Sequence, residues 1–139
     1  MPSIPTPCHC IELRRASNAL TALYDRALAP LGMSLAQYSV LSRIRKLSPC
    51  TVSELAVQLR LERTTVVRNL KPMVDAGWIH DDAHPGRRDR RLRVTSDGIS
   101  LLQAAKPLWE KAQKRVEHHL GTELMEALCQ ALQALETIW

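Results

Sequence analysis

Glycine is scarce, at five in 139 residues, and no Gly-x-x-x-x-Gly-Lys-Ser/Thr run forms a phosphate-cradling loop. Neither a His-Glu-x-x-His pair nor a Ser-His-Asp pattern occurs, so the sequence points away from an enzyme and implies no cofactor. No apolar stretch approaches the roughly 20 residues of a membrane span. The start, Met1-Pro2-Ser3-Ile4-Pro5-Thr6-Pro7, has neither the charged opening nor the apolar run of a secretory leader. A cytoplasmic location with no membrane partner is the expectation. Cys8, Cys10, Cys50 and Cys129 are then expected to stay reduced, because cytosolic thiols are kept so. No internal repeat or low-complexity tract is present.

Apolar residues make up 45% of the chain and charged residues 24%, the balance of one globular unit with a real core. The net charge is +5, and its placement matters more than its size. From Arg60 to Arg93 there are nine Lys/Arg against five Asp/Glu, a local excess of 9 − 5 = +4. A basic region of this kind is either the footprint of a polyanion partner or a solvated charged loop, and the surrounding pattern decides between them.

Ile11, Leu13, Ala16, Leu20, Leu23, Tyr24, Ala27 and Leu28 recur at helical spacing, and Pro30 with Gly32 ends that helix. Ser34 with Gln37, then Thr51 with Glu54, repeat the capping-box pattern that opens a helix. The segment from Arg63 to Asp75 reads as a fourth helix with Val66, Val67, Leu70, Met73 and Val74 inward and Gly77 as its stop. Glu62 is expected to cap it. Two short helices joined by a tight connection make a helix-turn-helix. From Trp78 the period changes to alternation, giving strands at 78–82 and 92–95 around Pro85-Gly86 and a charged tip, a β-hairpin wing. Ile99 to Val116 continues as a long helix, with a bend expected at Pro107 and a break at Gly121 before the last helix.

The expected fold is mainly α: a winged helix-turn-helix of six helices plus a hairpin. Its DNA-binding core spans 34–95, and the flanking segments 8–30 and 96–139 carry apolar faces that need a partner, most simply a second copy of the chain. A recognition helix presents its first turns to the major groove, so Arg63, Thr64, Thr65, Arg68 and Asn69 are the candidate base readers, with Ser53 and Lys71 on phosphates. In the wing, Arg87, Arg88, Arg90 and Arg91 are the basic candidates; Arg90 or Arg91 suits a narrow minor groove.

The run His84-Pro85-Gly86-Arg87-Arg88-Asp89-Arg90-Arg91-Leu92-Arg93-Val94-Thr95-Ser96-Asp97-Gly98 closely resembles the wing signature of the multiple-antibiotic-resistance regulator (MarR) family. Leu70-Lys71-Pro72-Met73-Val74-Asp75-Ala76-Gly77-Trp78-Ile79 looks like that family's recognition-helix exit. Val94-Thr95 stands where members usually carry Leu-Thr. The resemblance implies a homodimeric regulator, usually a repressor, on a palindromic double-stranded DNA operator, released by a small phenolic or aromatic ligand, a metal or an oxidant. It also implies that Asp89 positions a wing arginine through a salt bridge.

Cys10, Leu13, Tyr24, Gln37 and Tyr38 fall, without gaps, where the organic-hydroperoxide-sensing branch carries its reactive cysteine and neighbouring residues, although a second tyrosine of that branch is Leu35 here. That similarity implies redox sensing at Cys10 with Tyr24 beside it; the candidate resolving thiols are Cys8, the nearest in sequence, and Cys129 in the last helix of the other subunit. A packed thiol is the alternative of equal weight. Cys8-His9-Cys10 also offers three ligand atoms, but a structural zinc site needs four and no other histidine is spaced to complete it, so no metal is assigned. A competing effector is an aromatic or phenolic molecule near Tyr24, Tyr38 and Trp109. A winged module that binds protein rather than DNA is a further alternative.

Overall fold

A computed structural model describes residues 8–82 and 90–139. The order is α1 (His9–Leu28), a 3-10 turn (Ala29–Leu31), α2 (Leu35–Leu47), β1 (Cys50–Thr51), α3 (Val52–Leu59), α4 (Arg63–Asp75), β2 (Ile79–Asp82), β3 (Arg91–Val94) and α5 (Ser96–Glu136). Among the described residues no helix is long and apolar enough to cross a membrane.

Both capping boxes are present. Ser34 Oγ accepts from Gln37 N while Gln37 Oε1 accepts from Ser34 N. Thr51 and Glu54 exchange the same pair of bonds at the start of α3. Each box satisfies two backbone N–H groups that a helix start leaves without partners. Asp25 Oδ1 accepts from Leu35 N at 2.7 Å, tying α1 to the opening of α2. Helix α3 closes on Arg60, whose left-handed backbone (φ 55°) turns the chain within three residues into α4.

The core lies between α2, α3, α4 and the sheet. Leu28, Leu41, Ile44, Leu55, Val66, Leu70, Met73 and Leu92 are all sealed from solvent, at 1% exposure or less. The hairpin strands pair antiparallel, with Asp81 opposite Leu92 and Asp82 opposite Arg91. A third strand, β1, which periodicity alone does not reveal, pairs with β3 through Cys50 and Leu92 and makes β3 the centre of the sheet. Leu92 is thereby flanked on both edges and fully buried, fixing the hairpin to the helices.

Helix α4 ends in a Schellman motif. Trp78 N donates to Met73 O and Gly77 N to Val74 O, with Gly77 at φ 81°. The wing returns to the same place: Thr95 N donates to Trp78 O at 3.0 Å and Thr95 Oγ1 to Gly77 O at 2.6 Å. Thr95 Oγ1 also accepts from Gly98 N, capping α5. One threonine therefore joins the exit of α4, the end of β3 and the start of α5.

Within Ser96–Glu136 the backbone leaves helical geometry at Gly121 (φ 80°, ψ 167°) and not at Pro107. The break falls at the expected glycine, whereas Pro107 is absorbed within the helix. Beyond Gly121, Leu124, Leu132, Leu135 and Ile138 are exposed, as are Ile11, Leu13 and Leu20 on α1.

Candidate nucleic-acid interface

Helix α4 sorts its residues by spacing. Val66, Leu70 and Met73 recur at four and three and are buried, so Thr64, Arg68 and Lys71 face outward and are exposed. Thr65 and Asn69 are half-buried on the flank, and Arg63 is exposed in the first turn. Val67 corrects the sequence reading: it is 37% exposed rather than inward, because the core face is already filled by the three residues that flank it in spacing. Glu62 occupies the N-cap position, but its side chain makes no capping hydrogen bond. Ser53 is exposed at the start of α3. Lys71 Nζ lies 3.5 Å from Asp75 Oδ2, a solvated pair one turn apart that leaves the ammonium reachable.

At the hairpin neck, Arg90 Nε donates to Asp81 Oδ2 at 2.9 Å, and a terminal guanidinium nitrogen of Arg90 donates to the same oxygen. The hydrogen bond that Arg90 donates to Asp81 outweighs the cost of burial and holds the Arg90 guanidinium even more firmly protonated than usual. The Asp81 side chain is only 9% exposed, and its Oδ1 is buried with no hydrogen-bond partner among the described residues. Arg91, opposite Asp82, is exposed. Asp81 thus holds Arg90, a role that composition could not separate from the neighbouring Asp82. Arg87, Arg88 and Asp89 lie outside the described residues.

The other candidates lie on α1, α2 and α5. Tyr24, Tyr38 and Trp109 come together, with Tyr38 stacked on Trp109 at 6.0 Å and Tyr24 tilted at 6.5 Å. The Tyr24 hydroxyl donates to Gln113 Oε1. Burial is the main cause raising both tyrosine pKa values, so both are neutral phenols near pH 7. A cleft of about 440 Å³ lies between α1 and α5, floored by Ala22, Leu23, Leu108 and Ala112 and flanked by Arg26, Lys111 and Arg115. The three aromatic rings pack on one another and do not line it.

Cys10 is exposed in the first turn of α1, with Cys8 at the N-cap. Tyr24 is fourteen residues further along the same helix, about 21 Å at 1.5 Å per residue. The two cannot touch within one chain. Cys129 is exposed. Cys50 is buried, and desolvation pushes its pKa up, which makes it a core thiol. Among the described residues no three His, Cys, Asp or Glu side chains form a metal-binding group.

Comparison with known proteins agrees with this geometry. Residues 31–88 match the profile described as MarR family. The chain is 38% identical to the transcriptional regulator MosR of M. tuberculosis, solved in complex with DNA, over 93% of this chain and 96% of that one, with a TM-score of 0.79. A mutant of MarR from E. coli, solved with operator DNA, shares the fold at 22% identity and a TM-score of 0.80, covering 88% of this chain and 89% of that one. The uncharacterized HTH-type regulator YwoH of Bacillus subtilis (strain 168) is 24% identical over 62% of this chain, a match spanning 63% of its own length. With a winged helix-turn-helix core and a near full-length relative of this identity, the chain belongs to the MarR family of transcriptional regulators.

Proposed function

We propose that this chain acts as a homodimeric repressor on a palindromic operator, placing one α4 in the major groove of each half-site and a wing arginine on the flanking minor groove. The observation that carries the reading is the outward polar face of α4, Thr64, Arg68 and Lys71, alongside a hairpin whose Arg90 is held in place by Asp81. Arg63, Thr65 and Asn69 extend the reading edge, Ser53 meets a phosphate, and Arg87 and Arg88, outside the described residues, add positive charge in sequence next to Arg90. The likeness to MosR, solved with DNA, supports this reading. Exposed leucines and isoleucines on α1 and beyond Gly121 supply the dimer contact.

Sedimentation should show a particle of twice 15.6 kDa, and random-duplex selection should recover half-sites about 10 base pairs apart. The logarithm of affinity should fall linearly with the logarithm of salt. A monomer, or failure to retain any duplex at low salt, overturns the reading and leaves a protein-interaction module.

For the releasing signal, exposure of Cys10 beside Cys8 favours oxidation. A hydroperoxide would take the thiolate to sulfenic acid, releasing an alcohol, and a second thiol (Cys8, or Cys129 of the other subunit) would condense with it, releasing water. The separation along α1 means Tyr24 could assist only across the subunit interface. Cumene hydroperoxide should weaken operator binding by the wild type and not by Cys10→Ser; an equal response of the two removes Cys10 as the switch. The cleft favours a second reading, because Arg26, Lys111 and Arg115 among apolar lining residues suit an aromatic carboxylate, in the cleft itself rather than against Tyr24, Tyr38 and Trp109. In that case salicylate releases DNA from wild type and Cys10→Ser alike.

A further inference from the structure

Among the exposed residues in the first two turns of α4, Arg63, Thr64, Val67 and Arg68, only Val67 can neither donate nor accept a hydrogen bond through its side chain. The core does not need it: Val66, Leu70 and Met73 already seal that face at 0%, 1% and 0% exposure, while Val67 stays 37% exposed. It sits three residues after Thr64, next to Arg68 and one turn before Lys71, in the part of α4 that enters a groove. A β-branched apolar side chain is also a weak choice for a solvated helix surface, where lysine, glutamate or glutamine forms helix better. The major-groove base edges present one apolar group, the C5 methyl of thymine.

We infer that Val67 reads a thymine by burying its C5 methyl, so that operator choice depends on an apolar contact beside the polar ones. The inference rests on the DNA-binding reading. It assigns one position per half-site to a thymine recognised without a hydrogen bond from residue 67. Uracil keeps every hydrogen-bonding group of thymine and lacks only the methyl, so it isolates this contact.

The test uses the full-length protein and a duplex selected from a random library by the wild type. Each thymine is replaced singly by deoxyuridine and affinity is measured by fluorescence anisotropy. At one thymine per half-site the wild type should lose about three- to tenfold, the range expected for one methyl leaving an apolar contact. Val67→Ala should bind the thymine duplex more weakly by a similar factor and show no further loss with uracil there. Val67→Thr, which keeps a methyl in nearly the same shape, should retain most of the thymine preference. Because the side chain lies outside the core, all three proteins should melt together. If no thymine responds, or if Val67→Ala discriminates as the wild type does, the inference falls while DNA binding stands. If no duplex can be selected, the DNA-binding reading falls and takes this one with it.

Discussion

Gly98→Ala should lower the stability of the protein by about 3 kcal/mol, near the upper end of the usual cost of forcing an extra carbon into a filled space. Helix propensity argues the other way, since alanine in a helix is favoured over glycine by about 1 kcal/mol. Sterics win here because of what a Cβ would meet. It would stand 2.3 Å from the Trp78 carbonyl oxygen and 2.6 Å from Val94 Cγ1. The first of these is backbone, and that oxygen already accepts the Thr95 N–H at 3.0 Å, so it cannot move without breaking the junction. Relief would require α5 to lift away from the exit of α4, disturbing the recognition helix and the wing together. A thermal melt should therefore fall by roughly 10 °C, taking about 2–4 °C per kcal/mol for a chain of this size. DNA affinity should drop even below the melting range. A variant that melts within about 2 °C of wild type would show that the junction is soft and that this glycine is not required by close approach.

The same junction shows what was legible in the sequence. Helix boundaries were readable because their determinants are local: Ser34 with Gln37, Thr51 with Glu54, and Gly77 each act on backbone groups within a few residues. Gly121 was equally plain, since its positive φ is where glycine is least strained. Strand β1 was not legible, because two residues carry no period and the partner that defines them, Leu92, lies 42 positions away from Cys50. Val67 was misplaced because it lies at the edge of the apolar sector of α4, where only the three-dimensional fill of the core separates inside from outside. Asp81 was hidden for a similar reason. Asp81 and Asp82 are alike in composition, and strand alternation shows that they face opposite sides without showing which side holds an arginine. The clustering of Tyr24, Tyr38 and Trp109 needed α1, α2 and α5 to be assembled first.

The wing offers the largest functional effect. Arg90→Ala combined with Arg91→Ala should weaken binding to every duplex by a hundredfold or more, taking about 1.5–3 kcal/mol for each charge-assisted hydrogen bond lost. It should also flatten the log-log salt dependence by about 0.9 for each arginine that neutralises a phosphate. The two single variants should differ, because the arginines are held differently. Arg91 is exposed, so Arg91→Ala should weaken DNA binding with little change in stability. Arg90 covers Asp81, whose Oδ1 already lacks a hydrogen-bond partner among the described residues. Arg90→Ala strips the remaining oxygen of its cation and leaves a nearly buried carboxylate uncompensated, a cost of about 1–3 kcal/mol. Adding Asp81→Asn to Arg90→Ala should recover part of that stability, since a neutral amide tolerates the site better, without recovering DNA affinity. Denaturant melts beside salt titrations separate these outcomes. An unchanged salt slope in the double variant would remove the wing from the DNA interface, and equal stability of Arg90→Ala and wild type would remove Asp81 as the residue that aims it.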